Sequence, residues 1–202
     1  MPDPTRPARQ LSPRGRHRRD LILDATVEVL LERGFAAVSH RSVAERAGLP
    51  LAATTYYFTS LDDLMAEALT RLAEAWLAQA RAVMAELPDR LDVAGLLGAL
   101  IRMNDPTVGA GEPLFSRLTL YERYLEAARH PRLRRLVVHY DEQIESLLRT
   151  VLERSGFAGS IENARLVLAV IDGATLRALA EGLPDSFVRG VLGQLLDTLA
   201  PT

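Results

Sequence analysis

The sequence predicts an all-α protein of about nine helices, with a three-helix helix-turn-helix head over residues 16–60 and a larger helical body over residues 61–202. Apolar residues recur at spacings of three and four through most of the chain, which is the period of an amphipathic helix. No segment alternates apolar and polar residues as a half-buried strand would. Glycine, proline and capping residues divide the periodic segments into helices of ordinary length.

The first helix follows a segment without periodicity. Residues 1–15 are rich in Arg and Pro, and we interpret them as a flexible basic arm. From Arg18 onward the apolar residues fall on one helical face. Gly34 predicts the end of this helix, because glycine commonly follows the last helical residue.

Two short helices joined by a tight turn follow the first helix. Ser39 is a suitable N-cap for a helix that ends near Ala47, and Gly48 provides the stop. Pro50 suits the first turn of the next helix, which runs to about Tyr57, because proline lacks the N–H that would be unpaired there. This arrangement matches the helix-turn-helix plan, in which the second short helix enters the major groove of DNA.

The second short helix carries small and hydroxyl-bearing side chains. Ala and Thr methyl groups can contact the thymine methyl group, and hydroxyl and Arg side chains can donate to phosphates. Residues 1–50 hold nine Arg and six acidic residues, whereas residues 51–202 hold fifteen Arg and twenty acidic residues. A basic N-terminal part therefore adjoins an acidic body. The predicted contacts with double-stranded operator DNA are Arg18, Ser39, Arg41, Ser42, Leu51, Ala52, Ala53, Thr55, Tyr56 and Tyr57.

The body is divided by the same kinds of signal. Ser60 and Asp63 resemble a capping box that opens a long helix. His130-Pro131 separates two helices, since a helix rarely runs through the residue before a proline. Residues 104–112 are interpreted as a loop. The predicted body helices are 61–86, 92–103, 113–129, 131–155, 160–181 and 184–199.

The last two helices are apolar on nearly every side. A helix without a polar face must be covered on both sides. We expect a second copy of the chain to cover one side, giving a homodimer through a four-helix bundle. The alternative is that both helices lie in one monomer core. The predicted interface residues are Val170, Ala174, Arg177, Leu192, Leu195 and Leu196.

Aromatic and polar side chains on the body helices form a candidate pocket for a small-molecule effector. Tyr121 and Tyr124 share a helical face with Arg117, which can bind an acidic group of a ligand. The alternative for each residue is an ordinary core or surface role. Asp172 is interpreted as a hydrogen-bonded packing residue. The predicted pocket residues are Trp76, Met103, Arg117, Tyr121, Tyr124, His139 and Tyr140.

Several classes of site are excluded by composition and spacing. The chain has no Cys, which removes disulfides and thiolate chemistry. No catalytic triad order, phosphate-binding glycine loop or zinc spacing is present, so we expect neither enzyme activity nor a cofactor. The pairs Glu126/His130 and His139/Glu142 lack the Glu-x-x-His order of di-iron bundles, so no metal is expected. No uncharged apolar run reaches 18 residues, and we expect a cytoplasmic protein without a membrane partner.

Residues 18–64 resemble the DNA-binding head of the TetR family of transcriptional regulators. The family pattern is a helix ending in Glu-x-Gly, a Thr or Ser cap, an Ile-Ala-x-x-Ala-Gly-Val helix, and a recognition helix ending in Tyr-x-Phe. The matching residues are Glu32–Gly34, Ser39, Val43–Leu49, Tyr56–Phe58 and, late in the body, Ile171–Gly173. The resemblance implies a homodimer that binds a palindromic operator, usually as a repressor released by a small ligand.

Four positions depart from the family pattern. Pro50 replaces a Ser, Ala52 a Gly, Thr55 a frequent aromatic residue and Leu61 a Lys. These departures leave open an adaptor that keeps the head fold without binding DNA. An enzyme on a helical bundle is the other alternative, which the lack of a catalytic constellation opposes. The residues expected to compensate for lost phosphate contacts are Arg41, Tyr56, Tyr57, Arg14, Arg16, Arg18 and Arg19.

Overall fold

The computed structural model describes residues 12–103 and 113–200. Over these residues the chain is helical and contains no strand, which confirms the predicted fold class. Nine α-helices and one 3₁₀ turn at Phe35–Ala37 make up the described part of the chain. The α-helices are α1 (Pro13–Arg33), α2 (His40–Ala47), α3 (Leu51–Tyr57), α4 (Leu61–Glu86), α5 (Val93–Met103), α6 (Pro113–Arg129), α7 (Pro131–Arg154), α8 (Ile161–Glu181) and α9 (Asp185–Leu199).

Helix α1 begins earlier than the sequence predicts. Ser12 is its N-cap and accepts a hydrogen bond from the Gly15 N–H at 3.2 Å, and Pro13 lies in the first turn, where its missing N–H costs nothing. The predicted flexible arm is therefore wrong for residues 13–15. Residues 1–11 of that arm and the predicted loop at 104–112 lie outside the described residues. The other helix ends agree with the prediction to within one residue.

The N-terminal helices enclose a core together with the adjoining parts of α4, α6 and α7. Its largest fully buried side chains are Ile22, Leu30, Phe58 and Leu64. Burial of each such side chain contributes about 1.5–3 kcal/mol to folding. Arg46 on α2 also forms ion pairs with Glu28 and Glu32 on α1. Because Leu64 belongs to α4, the first turns of α4 are part of the same core as the head.

A second core lies in the body among α4 to α9. Its largest fully buried side chains are Leu96, Leu100, Leu120, Leu148, Leu152, Ile171, Leu192 and Leu196. The ring of Trp76 on α4 meets that of Tyr140 on α7 edge to face, with centroids 6.0 Å apart. A backbone hydrogen bond from the Leu91 N–H to the Arg154 carbonyl at 3.2 Å joins the segment before α5 to the end of α7. Helix α4 therefore runs from one core into the other.

Helix α6 makes a second connection between body and head. Thr119 is fully buried, and its hydroxyl donates to the Leu30 carbonyl at 3.0 Å. The Phe35 N–H donates to the Glu122 carboxylate at 3.2 Å. Gly34 stands between them with φ 74° and ψ 179°, a combination that essentially only glycine adopts. A Cβ at Gly34 would lie 3.2 Å from the Glu122 carboxylate, so the end of α1 and α6 approach closely here.

Candidate DNA-binding surface and polar centre of the body

A tight turn between α2 and α3 sets the position of α3. Ser39 and Ser42 cap α2 reciprocally, since the Ser42 N–H donates to Ser39 Oγ at 3.0 Å and the Ser39 N–H to Ser42 Oγ at 2.9 Å. Gly48 ends α2 in the left-handed conformation, with φ 64°. The Leu49 N–H then reaches back to the Ala44 carbonyl at 3.0 Å. Glycine suits this position because L side chains are strained at such a φ.

Helix α3 turns one face toward the head core and the other outward. Thr54 is fully buried, and its hydroxyl donates to the Leu51 carbonyl at 2.8 Å. Phe58, directly after the helix, is also buried in the head core. The outer face exposes Leu51 (51%), Ala52, Thr55 and Tyr56 (61%). Large apolar and aromatic side chains left exposed beside one another make this face a candidate interaction surface.

The predicted DNA contacts fall into two groups by exposure. The exposed ones are Arg18, Ser39, Arg41, Leu51, Ala52, Thr55 and Tyr56. Ser42, Ala53 and Tyr57 are half-buried, and the Ser42 hydroxyl donates to the Ala37 carbonyl at 2.8 Å. The rings of Tyr56 and Tyr57 meet edge to face, with centroids 5.0 Å apart. Ser42 therefore already serves the turn before α2, whereas the exposed group remains accessible.

Two arginines of the head have different surroundings. Arg41 is exposed and pairs with Glu45 at 3.1 Å, one helical turn away. Exposed pairs of this kind contribute little to stability, so Arg41 can exchange its carboxylate for a phosphate. Arg19 instead forms an ion pair with Glu67 on α4, and its guanidinium lies 5.2 Å from the centroid of the Phe58 ring. The phosphate contact expected of Arg19 needs correction, because this side chain holds α1 against α4.

A buried arginine lies where α6, α7 and α8 meet. Arg123 is 4% exposed, and its guanidinium carbon lies 4.1 Å from the ring centroid of Tyr124 and 4.5 Å from that of Tyr140. Its Nη2 donates to the Asp141 carboxylate at 3.1 Å and to the Tyr124 hydroxyl oxygen at 3.0 Å. The Tyr124 hydroxyl in turn donates to the Asp172 carboxylate at 2.9 Å. These five residues form what we call the polar centre of the body.

Burial controls protonation in the polar centre. It raises the pKa of Asp141 to about 6; Arg123 opposes this increase and Asp172 adds to it. Burial also raises the pKa values of the Tyr124 and Tyr140 phenols, so both stay neutral at physiological pH. A carboxyl group whose pKa rises in spite of a bound guanidinium is incompletely compensated. Additional positive charge beside Asp141 would therefore stabilise its ionised form.

The structure brings together some of the predicted pocket residues. Trp76, Met103, Tyr121 and Tyr140 are buried in the body core, and Tyr124 and Arg117 are half-buried. His139 is exposed on α7 and is not brought to the others, because its neighbour Tyr140 occupies the inward position. Asp172 is hydrogen-bonded, as predicted.

The sequence predicts Arg117 as the arginine of the candidate pocket and assigns no role to Arg123, which the structure places in the polar centre. Arg123 stands among charged residues such as Glu122 and Glu126, a composition typical of a solvated surface. A signal was available in the helical phase, because Arg123 lies three residues after Leu120 and four before Ala127, both of which are buried. Asp141 gave no such signal, since its role depends on the contact between α6 and α7.

The two histidine pairs weighed in the sequence analysis have different surroundings. His130 lies 3.5 Å from Glu126 and 3.6 Å from Asp62 and borders a cleft of about 220 Å³ between the 3₁₀ turn, α4 and α7. His139 and Glu142 are both exposed. In residues 12–103 and 113–200 no three or more metal-ligating side chains are grouped to hold an ion.

Part of the predicted dimer interface lies inside a single chain. Leu192 and Leu196 on α9 are fully buried and Ala174 on α8 is nearly so, because these side chains pack into the body core. Their burial within the single chain opposes the prediction that they contact a second copy. The side chains that α8 and α9 leave exposed or half-buried include Leu166, Val170, Leu176, Arg177 and Leu195.

Comparison with known proteins defines the class to which this architecture belongs. Residues 22–68 match the family described as bacterial regulatory proteins of the tetR family, and residues 88–201 match the tetracyclin repressor-like C-terminal domain. The chain therefore belongs to the TetR family of transcriptional regulators, a class without enzymatic activity, as the head sequence predicts. None of the helices in the described part of the chain is long and apolar enough to cross a membrane.

Individual relatives cover most of the chain. The transcriptional regulator PksA of Bacillus subtilis (strain 168) is 30% identical over 172 residues, which is 81% of this chain and 80% of PksA. The multidrug binding protein EbrR in complex with imidazole is 36% identical with a TM-score of 0.67, covering 88% of this chain and 94% of EbrR. EbrR in complex with ethidium is 32% identical with a TM-score of 0.69, covering 92% of this chain and 99% of EbrR. EbrR has also been solved with proflavin and with malachite green.

Proposed function

We propose that this protein is a transcriptional repressor that binds a palindromic operator as a homodimer and is released from it by a small organic effector. The outer face of α3 carries the DNA-binding part of the proposal. Leu51, Ala52 and Thr55 are exposed there, and their short side chains allow the helix to approach base edges closely. The capped start of α2 and the turn at Gly48 hold α3 in place, as in helix-turn-helix proteins.

A homodimer is supported by the outward faces of α8 and α9. Leu166 and Leu176 on α8 are exposed in the single chain, and Val170 and Leu195 are half-buried. Two such α8–α9 pairs can pack as an isologous four-helix bundle, which would cover these side chains. A two-fold dimer then presents two α3 helices to the two halves of an inverted repeat.

The effector part of the proposal rests on the polar centre. Tyr124 and Tyr140 offer aromatic faces, and Asp141 and Asp172 offer carboxylates. This combination suits an organic cation, which the face of an aromatic ring and a carboxylate both attract. Ethidium, with which EbrR has been solved, is an aromatic cation of this kind. We therefore assign the effector to the class of aromatic organic cations.

Helix α6 connects the polar centre with the head. Arg123 and Tyr124 directly follow Glu122, which accepts a hydrogen bond from the Phe35 N–H in the 3₁₀ turn after α1. An effector that favours one position of α6 would move the head relative to the body in both protomers. Because operator half-sites lie about 34–36 Å apart, such a movement would misalign the two α3 helices. A differential affinity of about 1–3 kcal/mol for the two positions is typical of such coupling.

The DNA-binding part is tested by placing an acidic side chain on the outer face of α3. Ala52→Asp adds a negative charge at an exposed position near the start of the helix, where the helix dipole tolerates it. We expect affinity for a duplex enriched by the wild-type protein to fall about a hundredfold or more, because like charges at an interface cost several kcal/mol. Ala82→Asp, on an exposed face of α4, is the matched control and should bind normally. Equal affinity of both variants would contradict the proposed role of α3.

A further inference from the structure

The guanidinium of Arg123 occupies a place suited to an organic cation. It lies within 4.5 Å of two tyrosine ring centroids and donates to one carboxylate. Aromatic faces combined with a carboxylate are the elements that proteins use to bind cationic ligands. The polar centre thus already holds a flat, delocalised cation supplied by the chain itself.

The guanidinium of Arg123 does not form all of its possible hydrogen bonds with the described residues. Its Nε and Nη1 are buried and have no hydrogen-bond partner among the described residues. A buried donor without a hydrogen-bond partner loses the free energy of its hydration, and no hydrogen bond offsets that loss. The guanidinium is therefore held less firmly than one with all of its donors paired, and a competing cation needs less affinity to replace it.

The charge of the surroundings favours a cation over an anion as the incoming ligand. Asp141 and Asp172 both reach the Tyr124 hydroxyl, at 3.2 Å and 2.9 Å. An anion drawn to the unpaired nitrogens of Arg123 would approach these two carboxylates at the same time. The raised pKa of Asp141 agrees with this, because its carboxylate would be stabilised by more positive charge.

We propose that Arg123 is a built-in competitor for the effector: an aromatic organic cation binds by taking the place of its guanidinium on Tyr124, Tyr140 and Asp141. This inference rests on the proposed function, and it adds how the threshold for effector binding is set. It also explains how binding acts on the head, because the displaced side chain belongs to α6, next to Glu122.

The test is an ethidium titration of the full chain, followed by dye fluorescence. Arg123→Met removes the competitor and should bind ethidium about thirtyfold more tightly than wild type, the size of one desolvated cation–π contact. Arg123→Lys keeps the charge but loses the planar stacking, so it should also bind more tightly than wild type, though less tightly than Arg123→Met. Arg135→Met, an exposed arginine of α7, is the matched control and should behave as wild type.

Ethidium affinity that is unchanged or weaker in Arg123→Met would overturn the inference. If Arg123→Met does not fold, ethidium affinity that is unchanged or weaker in Arg123→Lys would overturn the inference instead. Binding of salicylate to the wild type that is lost in the Arg123 variants would also overturn it, because Arg123 would then be an anion receptor. If the wild type binds ethidium and is released from DNA by it, but the variants bind no more tightly, only this inference fails. If the wild type binds no ethidium, the proposed effector class fails with it.

Discussion

Replacement of Gly34 by alanine tests the contact between the head and α6. Gly34 has φ 74° and ψ 179°, and a Cβ there would lie 3.2 Å from Glu122 Oε2. A side chain in this region of backbone space costs about 1–3 kcal/mol in strain. The added carbon also pushes against the carboxylate that accepts the Phe35 N–H, a hydrogen bond to a charged group that contributes about 1.5–3 kcal/mol when intact. With partial loss of that bond, the free energy of unfolding should fall by roughly 2–4 kcal/mol.

Two other glycines provide matched controls for this change. Gly48 also has a positive φ, of 64°, but a Cβ there would contact nothing within 4 Å. Gly48→Ala should therefore lower stability by only about 1–2 kcal/mol. Gly98 lies inside α5 with open space around its Cα. Gly98→Ala should raise stability by roughly 0.5–1 kcal/mol, because alanine is the better helix former.

The assay is thermal unfolding followed by circular dichroism at one fixed protein concentration, since the proposed dimerisation would make Tm depend on concentration. For a chain of this length each kcal/mol corresponds to about 2–4 °C, so Gly34→Ala should lower Tm by roughly 10 °C. In a Glu122→Ala background part of this decrease should disappear, because the contact is already lost. A Gly34→Ala decrease no larger than that of Gly48→Ala would refute the argument that α6 and the end of α1 are in close contact.

The other predictions concern DNA, the dimer and pH. Arg18→Ala should weaken operator binding and reduce the slope of log affinity against log salt by about one, as loss of one phosphate contact does, whereas Arg102→Ala on α5 should change neither in the same titrations. Leu176→Asp should convert the dimer to monomer on analytical ultracentrifugation, because it places a charge on the proposed interface; a variant that stays dimeric would exclude this face. The pKa of Asp141 in the folded protein lies above its ordinary value of 3.8, at about 6, so its contribution to stability is complete below about pH 4 and is lost as pH rises to 6. Asp141→Asn should remove this loss. Urea unfolding of the wild type and the variant from about pH 4 to about pH 6 should therefore show a difference in the free energy of unfolding that changes with pH. A difference that stays constant across this range would contradict the raised pKa of Asp141.

Local signals in the sequence predicted the helices well because each helix end depends on a few neighbouring residues. Ser39, Gly48 and Ser60 act through hydrogen bonds and backbone conformations within three residues, and all three end or begin helices where expected. The start of α1 was missed even though Ser12 and Pro13 are signals of the same kind, because the Arg- and Pro-rich composition around them favoured a flexible arm.

The arrangement of the body could not be predicted in the same way. Leu192 and Leu196 lie on an apolar helix, but periodicity does not say whether an apolar face meets its own chain or a second copy. Arg123 is buried because side chains from α6, α7 and α8 converge on it, which depends on tertiary packing. Buried charges of this kind are rare and are stabilised by partners distant in sequence, so composition favours the surface for any arginine.

Selection of random duplex DNA with the purified protein near physiological salt tests whether a homodimer reads a specific DNA sequence through α3. We expect enrichment of an inverted repeat whose half-sites are centred about one helical turn apart, or a multiple of it. The repeat should disappear from a parallel selection with Ala52→Asp. A folded, dimeric wild-type protein that enriches no sequence, with and without ethidium present, would contradict the account and favour an adaptor that keeps the head without reading DNA.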